Sequence, residues 1–206
     1  ADVGYYCPEN SILDKEARYR GTSVYLVDRV VPMLPERLSN GLCSLRPQEE
    51  KCSFSVLFQF NPMGKLVHHH FCKTLIYSDK RFTYEEAQNV LEGEENEFAE
   101  PLLELNKIAK KIRKARFQNG AISFDKPEVK FRLDENKRPV EVYQKTRKDA
   151  HLLIEDFMLL ANQSVAQHFS QLAKKHKSFK GVYRIHEEPD EEKLANLIRI
   201  AGHFGY

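Results

Sequence analysis

The sequence predicts an α+β fold: a mixed, mainly antiparallel sheet with long amphipathic helices packed on it. Apolar and polar residues alternate over 52–60, which indicates a half-buried strand. A second strand returns over 66–77, after the turn sequence Asn-Pro-Met-Gly at 61–64. Apolar residues at helical spacing predict long helices over 98–117, with Leu102, Leu105, Ile108 and Ile112 inward, and over 146–175, with Ala150, Leu153, Ile154, Phe157, Met158 and Ala161 inward.

Local signals place the shorter elements. Ser11 is a candidate N-cap for a helix over 9–19. The pattern Thr83-x-x-Glu86 is a capping box for a helix ending near Gly93, and Thr146-x-x-Asp149 is a similar box for the last long helix. Further strands are predicted at 121–125, 129–133, 140–145 and 182–186, and a further helix at 190–201. Nothing in the sequence marks an internal domain boundary, so residues 1–206 are predicted to belong to a single domain.

Composition restricts the class of protein. The chain has 206 residues, of which 41% are hydrophobic and 30% charged, so it can bury a core. A net charge of +2 is too small to indicate a nucleic-acid partner by itself. The four cysteines have no CxxC spacing, which favours reduced thiols in a cytoplasmic protein. No apolar run is long enough for a membrane span, and no signal-peptide pattern is present, so we expect no membrane partner.

Two clusters have competing interpretations. Six basic residues crowd one long helix and predict either a phosphate-binding face or an ordinary solvated face, of which we favour the second. These residues are Lys107, Lys110, Lys111, Arg113, Lys114 and Arg116. His68, His69 and His70 resemble a metal cluster, but successive strand residues point to opposite sides, so a solvent-facing strand is favoured.

Catalytic motifs are absent from the sequence. It contains no nucleophile elbow, no zinc-protease motif and no phosphate loop. The nine aspartates are never closer than seven positions apart, so no local carboxylate cluster suits a two-metal site. The sequence therefore offers no local cluster that indicates a catalytic or metal site.

The segment over residues 20–45 is the part of the sequence that says most about function. It follows neither helix nor strand periodicity, and it predicts a shaped loop whose side chains have separate tasks. Tyr25 lies in it, while Tyr84 and Phe131 lie beside basic or polar residues elsewhere. Such rings can stack on nucleic-acid bases. Their spacing alone favours ordinary core or surface aromatics.

The chain resembles, over nearly its whole length, the ribonuclease R group of the ribonuclease II (RNB) superfamily. The matching segments are long, non-periodic and in the family's order. They are ADV at 1–3, LDKEA at 13–17, RGTSVY at 20–25, VVPMLPERLSNGLCSL at 30–45, RFTYEEA at 81–87, NGAISFD at 119–125, VKFRL at 129–133, RKDAHLLIEDFMLLAN at 147–162 and YRIHEEPD at 183–190.

The resemblance implies a processive 3′-to-5′ exoribonuclease that threads single-stranded RNA and cleaves it with Mg²⁺. By resemblance, Tyr25 packs near the RNA 3′ end and Phe131 stacks opposite it. Tyr84 contacts the strand further out, and Glu155 contacts the terminal ribose, where a 2′-hydroxyl contact favours RNA over DNA. Arg147 matches a recurrent basic position before the helix that carries Glu155.

The resemblance also implies that the family's magnesium-binding aspartates precede the segment ADV and that its phosphate-stabilising arginine lies beyond residue 206. We therefore expect a central fragment of an RNB catalytic domain that holds no catalytic residue and no metal ligand and that does not degrade RNA alone. No small-molecule cofactor is expected, and exposed surfaces of such a fragment would favour non-native oligomers. The alternative is a non-enzymatic module that binds single-stranded RNA.

Overall fold

The computed structural model describes residues 1–122, 128–136, 138–185 and 187–205. The chain forms two compact units, Ala1–Leu160 and Ala161–Tyr206. Helix α5 (Asp149–Lys175) contributes residues to both. Whether residues 1–206 belong to one domain, as the sequence predicts, stays a prediction.

The described strands form three antiparallel pairs. Their bounds are β1 Val24–Tyr25 with β2 Val30–Val31, β3 Glu50–Phe60 with β4 Leu66–Tyr77, and β5 Glu128–Leu133 with β6 Pro139–Lys145. The predicted α+β class is confirmed, and the strands pair as three two-stranded sheets within the described residues.

The helices are α1 Val3–Tyr6, α2 Ile12–Arg20, α3 Tyr84–Leu91, α4 Ala99–Gln118, α5 and α6 Glu191–His203. Ser11 caps α2 as predicted: its hydroxyl accepts a hydrogen bond from the Asp14 amide. The irregular stretch over 20–45 holds the short pair β1–β2 and a π-helical turn at Arg37–Leu42, neither of which sequence periodicity reveals.

The predicted start of α5 is wrong. The helix begins at Asp149, so Thr146 lies too far upstream to be its N-cap. Residues 182–185, part of a predicted strand, are not in a strand, while His186 lies outside the described residues. Of the strand predicted at 121–125, positions 121 and 122 are not in a strand and the rest lie outside the described residues.

The inward face of α4 differs from the prediction. Asn106 and Ala109 are its buried residues, whereas Leu105, predicted inward, is 41% exposed. Arg113 and Arg116 extend the same stripe, because Arg113 follows Ala109 by four positions and Arg116 follows Arg113 by three. The helix therefore turns two arginines toward its packing partner.

The inward face of α5 is also partly mispredicted. Ala150 and Leu153 are buried as expected, but Ile154 and Met158 are exposed. Asp156 is buried in their place, with only 1% of its surface exposed. A carboxylate thus occupies the position where the apolar pattern predicted none.

Two contacts attach the long hairpin β3–β4 to the helices of the first unit. The Lys111 ammonium of α4 donates to the Met63 carbonyl in the hairpin turn, at 3.1 Å. The Phe60 ring of β3 meets the Phe157 ring of α5 edge-on, with centroids 6.5 Å apart. These contacts position α4 and α5 beside the hairpin.

The second unit contains the end of α5 and helix α6. The Phe169 ring packs edge-on against the Phe179 and Tyr183 rings, with centroids 5.3 and 6.4 Å apart. Asp190 caps α6 by accepting a hydrogen bond from the Lys193 amide. Within the described ranges, no helix is both long and apolar enough to cross a membrane.

Candidate functional site

The start of α3 presents Tyr84. The predicted capping box is confirmed: the Thr83 hydroxyl accepts from the Glu86 amide at 3.1 Å, and the Glu86 carboxylate accepts from the Thr83 amide at 2.7 Å. The backbone hydrogen bond from Thr83 lowers the pKa of the Glu86 carboxyl. Tyr84, the first residue of the helix, therefore sits on a firmly defined backbone.

The start of α5 is held by side chains. The buried Gln88 of α3 accepts a hydrogen bond from the Ala150 amide through its side-chain oxygen, at 3.0 Å. His151 Nδ1 accepts from the Lys148 amide at 3.3 Å. These two acceptors satisfy amide groups that a helix N-terminus leaves without internal partners. They take the place of the capping box predicted at Thr146.

The same two helix starts bring Tyr84 and His151 together. Their rings are stacked, with centroids 4.1 Å apart and planes 10° from parallel. Tyr84 remains 40% exposed. A mainly apolar cavity of about 390 Å³ adjoins Tyr84, and its lining includes Leu102 of α4 and Leu153 of α5. An aromatic platform beside an open space is a geometry that suits a flat, stacked ligand.

Glu155 and Arg147 form an ion pair one helical turn from His151. The Arg147 guanidinium donates to Glu155 Oε2, and Arg116 Nη2 of α4 lies 3.9 Å from Glu155 Oε1. The Glu155 and Arg147 side chains are 39% and 37% exposed. The predicted site residues Tyr84, Arg147 and Glu155 therefore belong to one neighbourhood, in which His151 stacks on Tyr84 and Glu155 follows His151 by one helical turn.

Asp156 links α5 to α4 from the buried side. Its Oδ2 lies 2.8 Å from both Nε and Nη2 of Arg113, and its Oδ1 accepts from Arg116 Nη2 at 3.0 Å. A buried carboxylate requires this kind of pairing, since desolvation otherwise penalises the charged form. The pairing fixes how the two helices face each other.

A second ion pair joins the same helices nearer the start of α5. The Lys110 ammonium lies 2.6 Å from Asp149 Oδ2, and Arg113 Nη1 lies 3.9 Å from Asp149 Oδ1. The hydrogen bond from Lys110, followed by its charge, lowers the pKa of the Asp149 carboxyl against the opposing effect of burial.

Four of the six basic residues of α4 form ion pairs of two kinds. Lys107 pairs with Glu104 on the exposed surface, at 3.1 Å, as the solvated-face interpretation predicts. Lys110, Arg113 and Arg116 instead neutralise carboxylates of α5. Three of the six charges, for which the sequence left a phosphate-binding face open as the less favoured interpretation, therefore join α4 to α5.

Tyr25 and Phe131 lie on strands of the first unit. Tyr25 is on the short strand β1 and is 79% exposed, and Phe131 is on β5 and is 47% exposed. Among the residues that the structure describes, the Tyr25 and Phe131 rings do not contact each other. Both rings are open to solvent, so each is available to a ligand.

Sequence reasoning missed three residues of this neighbourhood: Gln88, His151 and Asp156. Gln88 and His151 carry no distinguishing sequence signal, because their roles depend on contacts between helices. Asp156 offers a weak signal, since it follows the buried Leu153 by three positions on the apolar side of α5. An acidic residue on a buried stripe predicts a partner of opposite charge.

Metal-ligating chemistry is not found in the described residues. No group of three or more His, Cys, Asp or Glu side chains could hold an ion there. His68 and His70 are exposed on β4, as predicted for a solvent-facing strand. The four cysteines are free thiols, and burial raises the pKa of the Cys43 thiol.

Comparisons with known proteins give a consistent result. The family described as the RNB domain matches residues 1–204. Ribonuclease R 1 of Lactococcus lactis is 40% identical over 100% of this chain and 25% of its own length. The chain thus spans about a quarter of that relative.

Two solved structures of Mycoplasma genitalium RNase R are similar. The complex with ribose-methylated single-stranded RNA has a TM-score of 0.85 and 30% identity, covering 98% of this chain and 32% of that chain. The complex with double-stranded RNA has a TM-score of 0.87 and 30% identity, covering 100% of this chain and 36% of that chain.

Proposed function

This chain belongs to the RNB-domain family, and on that premise we propose that it is the RNA-holding part of a processive 3′-to-5′ exoribonuclease. The complete enzyme would hydrolyse single-stranded RNA to nucleoside 5′-monophosphates. The observation that supports this most strongly is the neighbourhood of the Tyr84–His151 stack and the Arg147–Glu155 ion pair. It offers a stacking surface beside a hydrogen-bond acceptor, which suits a base and a ribose hydroxyl.

We assign the roles as follows. Tyr25 packs near the RNA 3′ end and Phe131 stacks opposite it, which their exposure permits. Tyr84 contacts the threaded strand further out. Glu155 accepts a hydrogen bond from a ribose 2′-hydroxyl, and Arg147 orients the Glu155 carboxylate through their ion pair. A 2′-hydroxyl contact distinguishes RNA from DNA.

Magnesium belongs to this proposal only for the complete enzyme. The described residues do not fit a magnesium site, because no three potential ligands converge. We place its ligands outside residues 1–206 and expect no release of nucleotides by this chain alone. We also propose a cytoplasmic location, which the four free cysteines support.

A direct experiment combines binding with cleavage. The 206-residue chain is titrated into fluorescently labelled single-stranded RNA and DNA of the same sequence, and the RNA is then incubated with the chain and Mg²⁺. We expect tighter binding of RNA than of DNA, weakened by salt, and no nucleoside monophosphate. Equal affinity for the two strands would contradict the RNA-holding role, and processive release of monophosphates would contradict inactivity.

The second candidate function is a non-enzymatic module that binds single-stranded RNA. The exposed Tyr25 ring favours it, because a free aromatic face can stack on a base without any catalytic partner. The two candidates differ in the complete protein. Loss of RNA degradation after Tyr25→Ala in that protein supports the exoribonuclease, whereas binding without degradation in the unaltered complete protein supports the module.

A further inference from the structure

Asp156 is the most completely buried charged residue among those described for this chain, with a relative exposure of 1%. The arginines that hold it, Arg113 and Arg116, have side chains only 17% and 24% exposed. All three groups are therefore partly or wholly removed from water. In such surroundings an ion pair has a defined geometry, because neither partner can exchange freely for solvent.

Arg116 connects this buried pair to the candidate site. Its Nη2 atom lies 3.0 Å from Asp156 Oδ1 and 3.9 Å from Glu155 Oε1. One guanidinium thus faces two successive carboxylates, one buried and one 39% exposed. Arg147 holds the other oxygen of Glu155. The Glu155 carboxylate therefore lies between a half-buried arginine, Arg116, and an exposed one, Arg147.

Helix geometry relates the two carboxylates. Successive residues of an α-helix point about 100° apart around its axis. When Asp156 is clamped to α4, the rotation of α5 is set, and Glu155 is directed to the flank where Arg147 and His151 lie. Asp156 does not need to touch a ligand to determine where Glu155 meets one.

We infer that Asp156, gripped by Arg113 and Arg116, is a positioning residue that sets the Glu155 carboxylate for selection of RNA over DNA. This inference rests on the proposed function, in which Glu155 contacts a ribose hydroxyl. In this inference Arg113 and Arg116 of α4 influence substrate selection through Asp156, and they do so without contacting a phosphate.

The variant Asp156→Asn tests the inference, because it keeps the side-chain size and removes the charge that holds the arginines. Val90→Ala is the matched control: Val90 is a buried apolar residue of α3 outside the cavity lining, and its truncation weakens packing without altering the ion pairs. Both variants are studied at a temperature where circular dichroism shows them folded. Asp156→Glu, which restores the charge, serves as the conservative rescue.

The first readout does not involve RNA. NMR signals of the Arg147 guanidinium are compared in the unaltered chain, in Glu155→Gln and in Asp156→Asn. We expect Asp156→Asn to shift the Arg147 signals toward their positions in Glu155→Gln, and Val90→Ala to leave them in place. Unchanged Arg147 signals in folded Asp156→Asn would overturn the inference, whatever the chain does with RNA.

The second readout is the ratio of affinities for RNA and DNA. We expect Asp156→Asn to reduce this ratio by roughly three- to ten-fold, with partial recovery in Asp156→Glu, as for loss of a hydrogen bond worth about 1 kcal/mol. In a Glu155→Gln background the same change should have no further effect. An additive effect there would overturn the inference. If Glu155→Gln itself leaves the ratio unchanged, the proposed role of Glu155 fails, and the Arg147 signals still decide whether Asp156 positions that side chain.

Discussion

The Tyr84 ring lies flat against the His151 ring, with the centroids 4.1 Å apart and the planes 10° from parallel. Tyr84 begins α3 and His151 lies in the first turn of α5, so one stack joins two helix starts. Because His151 also accepts a hydrogen bond from the Lys148 amide, its ring orientation is set by the backbone of its own helix. The histidine therefore supports the face of Tyr84.

Removing that support should weaken binding. We expect His151→Ala to lower the affinity for single-stranded RNA roughly two- to ten-fold, since a stacked aromatic pair contributes about 0.5–1.5 kcal/mol. Fluorescence anisotropy measures the change. His151→Phe is the matched control, because it keeps a ring beneath Tyr84 and should retain most of the affinity. Equal losses in the two variants would show that the stack does not matter for binding.

Comparing two exposed tyrosines, Tyr25 and Tyr19, tests whether RNA binding depends on stacking at Tyr25 in particular. Tyr25→Ala should weaken RNA binding by about 1–3 kcal/mol, the usual value for a base–aromatic stack. Tyr19→Ala is the control, because Tyr19 on α2 is 89% exposed and has no assigned ligand. Similar effects from both substitutions, measured by the same anisotropy titration, would refute the specific role of Tyr25.

Gln88 should stabilise the fold, because its side-chain oxygen accepts the hydrogen bond from the Ala150 amide. Gln88→Met fills the same space but leaves the Ala150 amide without its acceptor, which costs about 1–3 kcal/mol of unfolding free energy. Chemical denaturation measures the loss. Gln171→Met, at an exposed position of α5, should change stability by no more than about 0.5 kcal/mol. A Gln88 variant as stable as the Gln171 variant would contradict the capping role.

The Lys110–Asp149 ion pair should make the free energy of unfolding depend on pH. The pKa of Asp149 is lowered in the folded chain. Its contribution to the free energy of unfolding is therefore complete at pH values above the unfolded pKa of about 3.9, and it is lost as the pH falls through the lower folded pKa. We expect Asp149→Asn to reduce the unfolding free energy at neutral pH by about 0.2–1 kcal/mol, as for a partly exposed ion pair.

That difference between the unaltered chain and Asp149→Asn should begin to shrink below about pH 4 and should vanish below the lowered folded pKa of Asp149, where both chains carry a neutral side chain at position 149. Denaturation measured over a series of pH values tests this convergence. Glu100→Gln, at an exposed position of α4, provides the comparison. A difference that stays constant, or grows as the solution is acidified, would refute the assigned pairing.

Several elements were predictable because their signals are local. The capping box at Thr83 and Glu86 involves only neighbouring residues, and the structure confirms it. The alternation and the turn at 61–64 predicted β4 with its observed bounds, Leu66–Tyr77. The resemblance to the RNB superfamily was also readable from long ordered segments, and the family match confirms it.

Other features depend on contacts between distant parts of the chain. The sequence places a capping box at Thr146, yet α5 begins at Asp149, because Gln88 and His151 supply the acceptors. The sequence places Leu105 inward, yet Asn106 is buried, because α4 faces α5 through a stripe that includes arginines.

By itself, the sequence determined the α+β class, most helix and strand positions, the family, and a set of candidate residues for RNA. Those properties arise from periodicity, local capping and long matching segments. Only the tertiary structure decided that Tyr84 stacks on His151 and that Arg113 and Arg116 form ion pairs with Asp156. A charged side chain looks the same in sequence whether it faces solvent, a ligand or a buried partner, and desolvation on packing separates these cases.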